Sequence, residues 1–161
     1  MSHSLPSTRA LLFLKERKIA FTPRLYEYRP GGKVAQNAAQ ELGLDEERVY
    51  KTLGFLVEGA PVLALVNAAQ RVSLARLGAA AGAKSKAQEC APADAERYTG
   101  YQVGGISPFG TRRTLPVFVD ELALCHETIY VNGGSHGLLV ELRPEDLVRA
   151  LEAVVAPLAV D

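Results

Sequence analysis

The sequence contains few of the residues that build metal sites and disulfides: two cysteines and three histidines in 161 residues. Cys90 and Cys125 form no CxxC pair, and only His126 stands next to either of them. Zinc sites and disulfide frameworks need closely spaced sets of such residues. We therefore expect reduced thiols, as in a cytosolic protein, and a site that works without a metal or a cofactor.

The chain also has no excess of charge, because 18 Lys and Arg residues balance 18 Asp and Glu residues. Affinity for nucleic acid depends largely on the neutralisation of phosphates. A neutral chain is therefore not expected to bind DNA or to coat RNA. Any nucleic-acid substrate would be held by its end.

Long apolar segments are missing as well. No apolar run reaches the ~20 residues that cross a bilayer, and the N-terminal stretch MSHSLPSTR lacks the pattern of a signal peptide. These absences predict a cytoplasmic location and no membrane partner. A length of 161 residues without a linker or an internal repeat predicts one domain that spans residues 1–161.

What the chain does have is a glycine-rich stretch, YTGYQVGGISPFG, at residues 98–110. The adjacent Gly104 and Gly105 allow positive φ and close approach of a ligand, and Pro108 stiffens the loop. Its spacing fits neither a P-loop, nor a dinucleotide fingerprint, nor a nucleophile elbow around Ser107. The stretch predicts either a cradle of backbone N–H groups for a bound oxygen or phosphate, or a plain turn between two strands.

Short strand patterns alternate irregularly with helical ones along the rest of the chain. Ser7 or Thr8 is expected to cap the first helix, Gly43 to end the second, and Pro144 to begin the last, which would carry Val154. Strands are predicted at residues 25–28, 52–57, 62–66, 117–119, 128–131 and 138–142, the first of them after a break at Thr22-Pro23. The absence of a regular βαβ alternation favours an α+β fold with a mixed, curled sheet and helices around it.

Three motifs carry a resemblance to a known family: VYKTL at residues 49–53, TGYQVGGISPFG at 99–110 and IYVNGGSHGLLVEL at 129–142. Together they resemble the YbaK/EbsC family, the free-standing relatives of the editing domain in bacterial prolyl-tRNA synthetase. The resemblance covers nearly the whole chain. It implies a mixed β-sheet curled into a barrel-like core with helices outside. It also implies a Cys-tRNA(Pro) deacylase, which hydrolyses the ester between a wrong amino acid and the tRNA 3′ end.

The resemblance also implies roles for particular residues. Lys51 matches the family lysine that binds near the terminal adenosine and phosphate, and Tyr26 falls where the family often has a pocket tyrosine. Gly133-Gly134 matches a second glycine pair. The family's GxxxP loop, whose backbone amides hold the aminoacyl ester, corresponds to Gly104, Gly105, Ile106, Ser107 and Pro108.

The chain departs from the family pattern at two positions that would border the amino-acid pocket. Val34 stands where members often have an aromatic residue, and Leu139 stands where some members carry a polar or acidic one. The edited amino acid therefore stays open between cysteine and alanine. Choice among tRNAs is expected to depend on prolyl-tRNA synthetase docked alongside the mischarged tRNA(Pro) acceptor end.

Ester hydrolysis needs a nucleophile and stabilisation of an oxyanion. The sequence offers the second in the Gly104 and Gly105 amides and Lys51, but no convincing base, since His126 and His136 are expected to be surface or strand-end bystanders. In the family the cysteine substrate's own thiol is thought to attack its ester. A binding module that recognises an adenosine-terminated end without turnover fits the missing base equally well.

Overall fold

Residues 5–161, which the computed structural model describes, form five α-helices and ten β-strands. The helices are α1 (Arg9–Glu16), α2 (Val34–Leu42), α3 (Leu74–Ala80), α4 (Pro92–Thr99) and α5 (Pro144–Leu151), with 3₁₀ turns at Glu46–Arg48 and Glu121–Cys125. The strands are β1 (Thr22–Leu25), β2 (Tyr50–Val57), β3 (Ala60–Asn67), β4 (Arg71–Val72), β5 (Gln88–Glu89), β6 (Val117–Asp120), β7 (Ile129–Asn132), β8 (Leu138–Leu142), β9 (Val154–Ala156) and β10 (Ala159–Val160). Residues 1–4, where the N-terminal stretch analysed for a signal peptide begins, lie outside the described residues.

The strands form three sheets. A five-stranded sheet has the order β5-β2-β3-β6-β9, a three-stranded sheet the order β1-β8-β7, and β4 pairs with β10. The five-stranded sheet is mixed, because β6 runs parallel to β3 and β9 while the other pairs are antiparallel. A parallel bridge between Val49 and Tyr130 connects the start of β2 to β7. The predicted α+β architecture with mixed strands is confirmed, and the sheets are open rather than closed into a barrel.

The core lies on both faces of β3. Leu63 and Leu65 pack into one apolar cluster with Tyr50 and Ile129, whereas the alternate residue Val66 packs into a second cluster on the opposite face. Burial on both faces explains why β3 reads as a continuous apolar run. A third, smaller cluster between α2 and the sheets joins residues 38, 39, 49, 68, 130 and 139. This cluster forms the floor beneath the site described below.

Several helix ends predicted from the local sequence agree with the structure. The Thr8 hydroxyl accepts from Leu11 N and caps α1, and it donates to the Gly133 carbonyl at 2.7 Å. Gly43 ends α2 in the left-handed conformation, and Pro144 occupies the first turn of α5. These ends depend on one side chain or one φ angle each, so the nearby sequence is sufficient to specify them.

Two predictions of secondary structure are wrong. The strand expected at 25–28 lies at Thr22–Leu25 and includes the expected break, because β1 is an edge strand, where proline is tolerated. Val154 belongs to β9 rather than α5, which ends at Glu152 in a left-handed conformation. The strands missed by the sequence are two or three residues long, too short to show a period. No described helix combines the length and apolar character needed to cross a membrane.

Candidate active site

A cleft with a volume of about 450 Å³ opens between β2, the start of α2 and the glycine-rich loop. The third apolar cluster closes its floor through Val49, Ala68 and Leu139. The remaining lining residues come from three short segments and one strand end: residues 26, 28 and 31–36, residues 50–53, residues 103, 104 and 106, and Asn132. The lining contains no carboxylate and no imidazole among the residues that the structure describes.

The cleft brings together six of the residues predicted from the sequence. These are Tyr26, Val34, Lys51, Gly104, Ile106 and Leu139. Five others do not line it: Gly105, Ser107, Pro108, Gly133 and Gly134. They lie behind the lining, where Ser107 is fully buried and its hydroxyl accepts from Phe109 N at 3.2 Å.

Lys51 enters the cleft from β2, where it pairs with Val66 of β3. Burial of the side chain lowers the pKa of the Lys51 ammonium. No carboxylate lies within ion-pair distance of it among residues 5–161. Lys51 therefore supplies a partly desolvated positive charge that is available to an anion in the cleft.

The two adjacent glycines of the loop differ in backbone conformation and in hydrogen bonding. Gly104 has φ of 90°, whereas Gly105 does not use positive φ. The Gly105 N–H donates to the Gln102 carbonyl at 2.8 Å, so it is occupied within the turn. Within the described part of the chain, Gly104 N–H and Ile106 N–H have no hydrogen-bond partner. The amides without a partner are therefore those on either side of Gly105.

The glycine-rich loop is held by a second loop, residues 132–137. Asn132 Nδ2 donates to the Gly104 carbonyl at 3.1 Å, and its Oδ1 accepts from Gly134 N at 2.7 Å. His136 Nε2 lies 2.9 Å from the Val103 carbonyl. Two successive carbonyls of the glycine-rich loop are thus held by two residues of the second loop, Asn132 and His136. We call this arrangement the loop clamp.

His136 is therefore not a free surface residue. Its ring stacks on Tyr28 with centroids 3.8 Å apart and planes within 3°, and a Cβ on Gly105 would lie 3.1 Å from His136 N. The structure gives His136 a contact with the loop, whereas its role in the reaction stays a prediction. His126 lies elsewhere, in a separate hollow with Cys125, Glu47 and Asp161.

Gly133 and Gly134 allow the second loop to pack against α1. A Cβ on Gly133 would come within 2.7 Å of the Leu138 side chain, and one on Gly134 within 2.8 Å of the Tyr101 ring. The Gly133 carbonyl accepts from the Thr8 hydroxyl at 2.7 Å. Both glycines thus lie on the side of the loop away from the cleft.

Three buried side-chain polar atoms lack a hydrogen bond among the described residues: Tyr26 Oη, Tyr50 Oη and Thr52 Oγ1. Tyr26 lines the cleft, and burial raises the pKa of its phenol, which therefore stays protonated and able to donate. Tyr50 packs into the first apolar cluster and also borders the hollow that contains Cys125. Thr52 follows Lys51 on β2, so the two side chains lie on opposite faces of the strand. Buried polar atoms normally find partners, so Tyr26 leaves hydrogen-bonding capacity beside the cleft.

Sequence reasoning missed Thr52, Tyr28 and Asn132. Thr52 directly follows Lys51, and Asn132 directly precedes the second glycine pair, so both stand inside the quoted motifs. Asparagine before two glycines is a turn signal, and the local sequence gives no sign that its amide reaches Gly104.

Comparisons with known proteins identify the family of the chain. Residues 29–150 match the family described as the aminoacyl-tRNA editing domain. The chain therefore belongs to the aminoacyl-tRNA editing domain family.

Individual relatives are similar over most of the chain. EbsC of Enterococcus faecalis, named as a proposed Cys-tRNA(Pro)/Cys-tRNA(Cys) deacylase, is 30% identical over 142 residues, which cover 88% of this chain and 86% of EbsC. The crystal structure of a proposed trans-editing enzyme for prolyl-tRNA synthetase superposes with a TM-score of 0.81 and 26% identity, covering 95% of this chain and 96% of that one. A proline–tRNA ligase of Nitratidesulfovibrio vulgaris is 32% identical over 91 residues, which are 56% of this chain and 16% of the ligase.

The Gly104→Ala substitution tests the cleft-side amide. A Cβ there would lie 2.9 Å from Tyr28 Oη at a φ of 90°. We expect turnover on an aminoacyl-tRNA substrate to fall by about 100-fold, since a displacement of ~1 Å is enough for such a loss. Gly59→Ala is the matched control, because Gly59 also has positive φ (+81°) but no atom within 4 Å. Both variants should lose about 1–2 kcal/mol of stability. Equal activity in the two variants would contradict a role for Gly104.

The Asn132→Asp substitution tests the loop clamp. A carboxylate keeps the acceptor for Gly134 N but cannot donate to the Gly104 carbonyl. We expect kcat to fall by roughly 5- to 150-fold, the equivalent of about 1–3 kcal/mol. Asn67→Asp is the control, because Asn67 is similarly buried, accepts from Ala69 N and donates to Gln70. A wild-type kcat in a folded Asn132→Asp protein would show that the clamp does not position the loop.

Proposed function

We propose that the protein is a trans-editing deacylase that hydrolyses the ester of mischarged Cys-tRNA(Pro). The observation that carries the proposal is the composition of the cleft. It combines the Lys51 ammonium, the unpartnered amides of Gly104 and Ile106 and the unpartnered Tyr26 hydroxyl, and it contains no carboxylate or imidazole among the described lining residues. Such a site can hold a polar ester and stabilise an oxyanion, but its described lining offers neither of the groups that most often activate water, an imidazole or a carboxylate.

The missing base is consistent with a nucleophile supplied by the substrate. In the proposed reaction the cysteine thiol loses its proton, and its sulfur attacks the ester carbonyl. The carbon–oxygen bond to the terminal ribose then breaks, and the ribose hydroxyl leaves with a proton. The product is a cyclic thiolactone, which water opens to free cysteine. Holding the thiol against the carbonyl can lower the barrier by about 7–11 kcal/mol, so positioning is a sufficient mechanism.

The cleft residues take distinct roles in this reaction. Gly104 N–H and Ile106 N–H face the developing oxyanion, and Lys51 binds the phosphate or ribose of the terminal adenosine. Tyr26 Oη binds the amino group or the ribose hydroxyls, which would give this buried atom the partner it lacks. Ser107, Pro108, Gly105, Gly133 and Gly134 support the loops from behind.

Hydrolysis of Ala-tRNA(Pro) is the second candidate. Val34 and Leu139 give the cleft two apolar walls, which suit a methyl group as well as a thiol. An apolar pocket separates side chains that differ by one heavy atom by only about 1–3 kcal/mol. The relation to a proline–tRNA ligase supports tRNA(Pro) as the substrate and prolyl-tRNA synthetase as a partner in choosing it. These partners and the substrate are those of a cytoplasmic enzyme.

The Lys51→Met substitution separates function from folding. Loss of a charged contact should lower deacylation by about 10- to 150-fold, or about 1.5–3 kcal/mol. The folded-state pKa of Lys51 lies below its ordinary value of 10.5, so the ammonium costs stability at every pH below that folded-state pKa. The cost disappears as pH rises toward 10.5. The thermal midpoint of Lys51→Met at pH 7 should therefore equal or exceed that of the wild type. Full deacylation activity in the Lys51→Met variant would show that Lys51 is an ordinary solvated lysine without a role in the reaction.

Cleavage rates on different aminoacyl-tRNAs test whether the substrate or the protein supplies the nucleophile. Serine's hydroxyl is weakly acidic and alanine's methyl cannot attack, so Cys-tRNA should be cleaved far faster than Ser-tRNA or Ala-tRNA. A thiolactone, or its trapped adduct with an added amine, should accumulate only with Cys-tRNA. Comparable rates on Cys-tRNA and Ala-tRNA would overturn the thiol mechanism and favour Ala-tRNA(Pro). Stoichiometric binding of charged tRNA without turnover would indicate a binding module instead.

A further inference from the structure

Arginines gather where α1, α4 and the glycine-rich loop meet. A Cβ built on Gly100 would lie 3.1 Å from Arg9 Nη1 and 3.4 Å from the Arg112 Cβ. The neighbouring Tyr98 ring has two further guanidinium groups near it, those of Arg97 at 5.0 Å and Arg113 at 5.1 Å from its centroid. We call Tyr98 and these four arginines the arginine patch.

The patch has an excess of positive charge. Arg97 pairs with Asp94 at 3.0 Å, but no ion pair joins Arg9, Arg112 or Arg113 to a carboxylate among the described residues. The nearby Glu96 accepts from Val103 N at 2.9 Å. Arg9, Arg112 and Arg113 are exposed. A chain with a net charge of zero thus concentrates three solvent-facing cations in one place.

The patch and the cleft share the glycine-rich loop. Both ends of the glycine-rich loop are joined at their base, since Arg112 N donates to Thr99 O at 2.9 Å and Arg113 N to Tyr98 O at 3.1 Å. Val103 is 46% exposed and lines the cleft. Gly100 is three residues from Val103, so the two lie within about 10 Å of each other.

We propose that the arginine patch binds the phosphodiester backbone of the RNA segment that precedes the 3′ end held in the cleft. The proposal rests on the proposed function for the cleft. Guanidinium groups bind phosphate oxygens through paired N–H donors, and such contacts are independent of base sequence. The patch then supplies two or three phosphate contacts to the strand end. It leaves the choice of tRNA to contacts outside this surface.

The test is RNA binding by an Arg112→Gln/Arg113→Gln variant. Its dissociation constant for an uncharged minihelix ending in CCA is measured from 50 to 300 mM salt, with wild type and a control beside it. The control is Arg143→Gln/Arg149→Gln, which removes two arginines that already pair with Glu145 and Asp146 on α5. Each lost phosphate contact should reduce by about 0.7 the magnitude of the slope of the logarithm of the association constant against the logarithm of the salt concentration. We expect this magnitude to fall by about 1.4 in the variant and to stay unchanged in the control.

A second substrate separates this proposal from that for the cleft. Adenosine esterified with cysteine has no phosphate, so the variant should lose kcat/KM on charged tRNA selectively and not on this small ester. If the Arg112→Gln/Arg113→Gln variant binds the minihelix with unchanged affinity and salt slope, the proposed role of the arginine patch is wrong. It is also wrong if the variant keeps its thermal midpoint but loses kcat/KM equally on charged tRNA and on the small ester. If wild type hydrolyses neither substrate, the proposed function fails. A salt slope that drops only in the patch variant would still support RNA binding here.

Discussion

The cleft depends on the hydrogen bond from Asn132 Nδ2 to the Gly104 carbonyl. A glycine-rich loop loses much conformational freedom on ordering, so it cannot hold one shape by itself. Here its shape comes from outside: Asn132 is the last residue of β7, and β7 is buried along its length. Because Gly105 packs against the backbone of Ser135 and His136, the two loops have no room to slide. Through Asn132 the sheet orients the Gly104–Gly105 peptide plane, while the contact of His136 with the Val103 carbonyl orients the neighbouring plane, which carries Gly104 N–H.

The opposite wall of the cleft comes from a different sheet. β2 presents Lys51, and the Val49–Tyr130 bridge fixes β2 against β7. This wall is built at a cost to stability, because burial penalises the Lys51 charge and leaves Thr52 Oγ1 without a partner. The apolar faces of β3 offset that cost. Stability and function are thus divided between neighbouring strands of one sheet.

The sequence predicts well what is decided within a few residues. The Thr8 cap, the end of α2 at Gly43 and the strand at 138–142 all agree with the structure. The Asn132 tie to Gly104 could not be predicted, since these residues are 28 positions apart and meet only through sheet pairing. The use of the Gly105 N–H inside its own turn also escaped prediction. A GG motif indicates open backbone, but not which of its amides faces the ligand.

The net charge also could not predict how charge is distributed, because it is a sum over the whole chain and does not show where on the surface the charges lie. The balance of 18 basic and 18 acidic residues argues against a protein that coats long nucleic acids. The same balance hides the unpaired arginines beside Gly100, since acidic residues elsewhere cancel them in the sum. For a protein that binds only the end of a strand, this distribution has a physical advantage. If the arginine patch binds RNA as proposed, its local cations attract the phosphates, while the neutral remainder of the surface offers the body of the nucleic acid little electrostatic attraction.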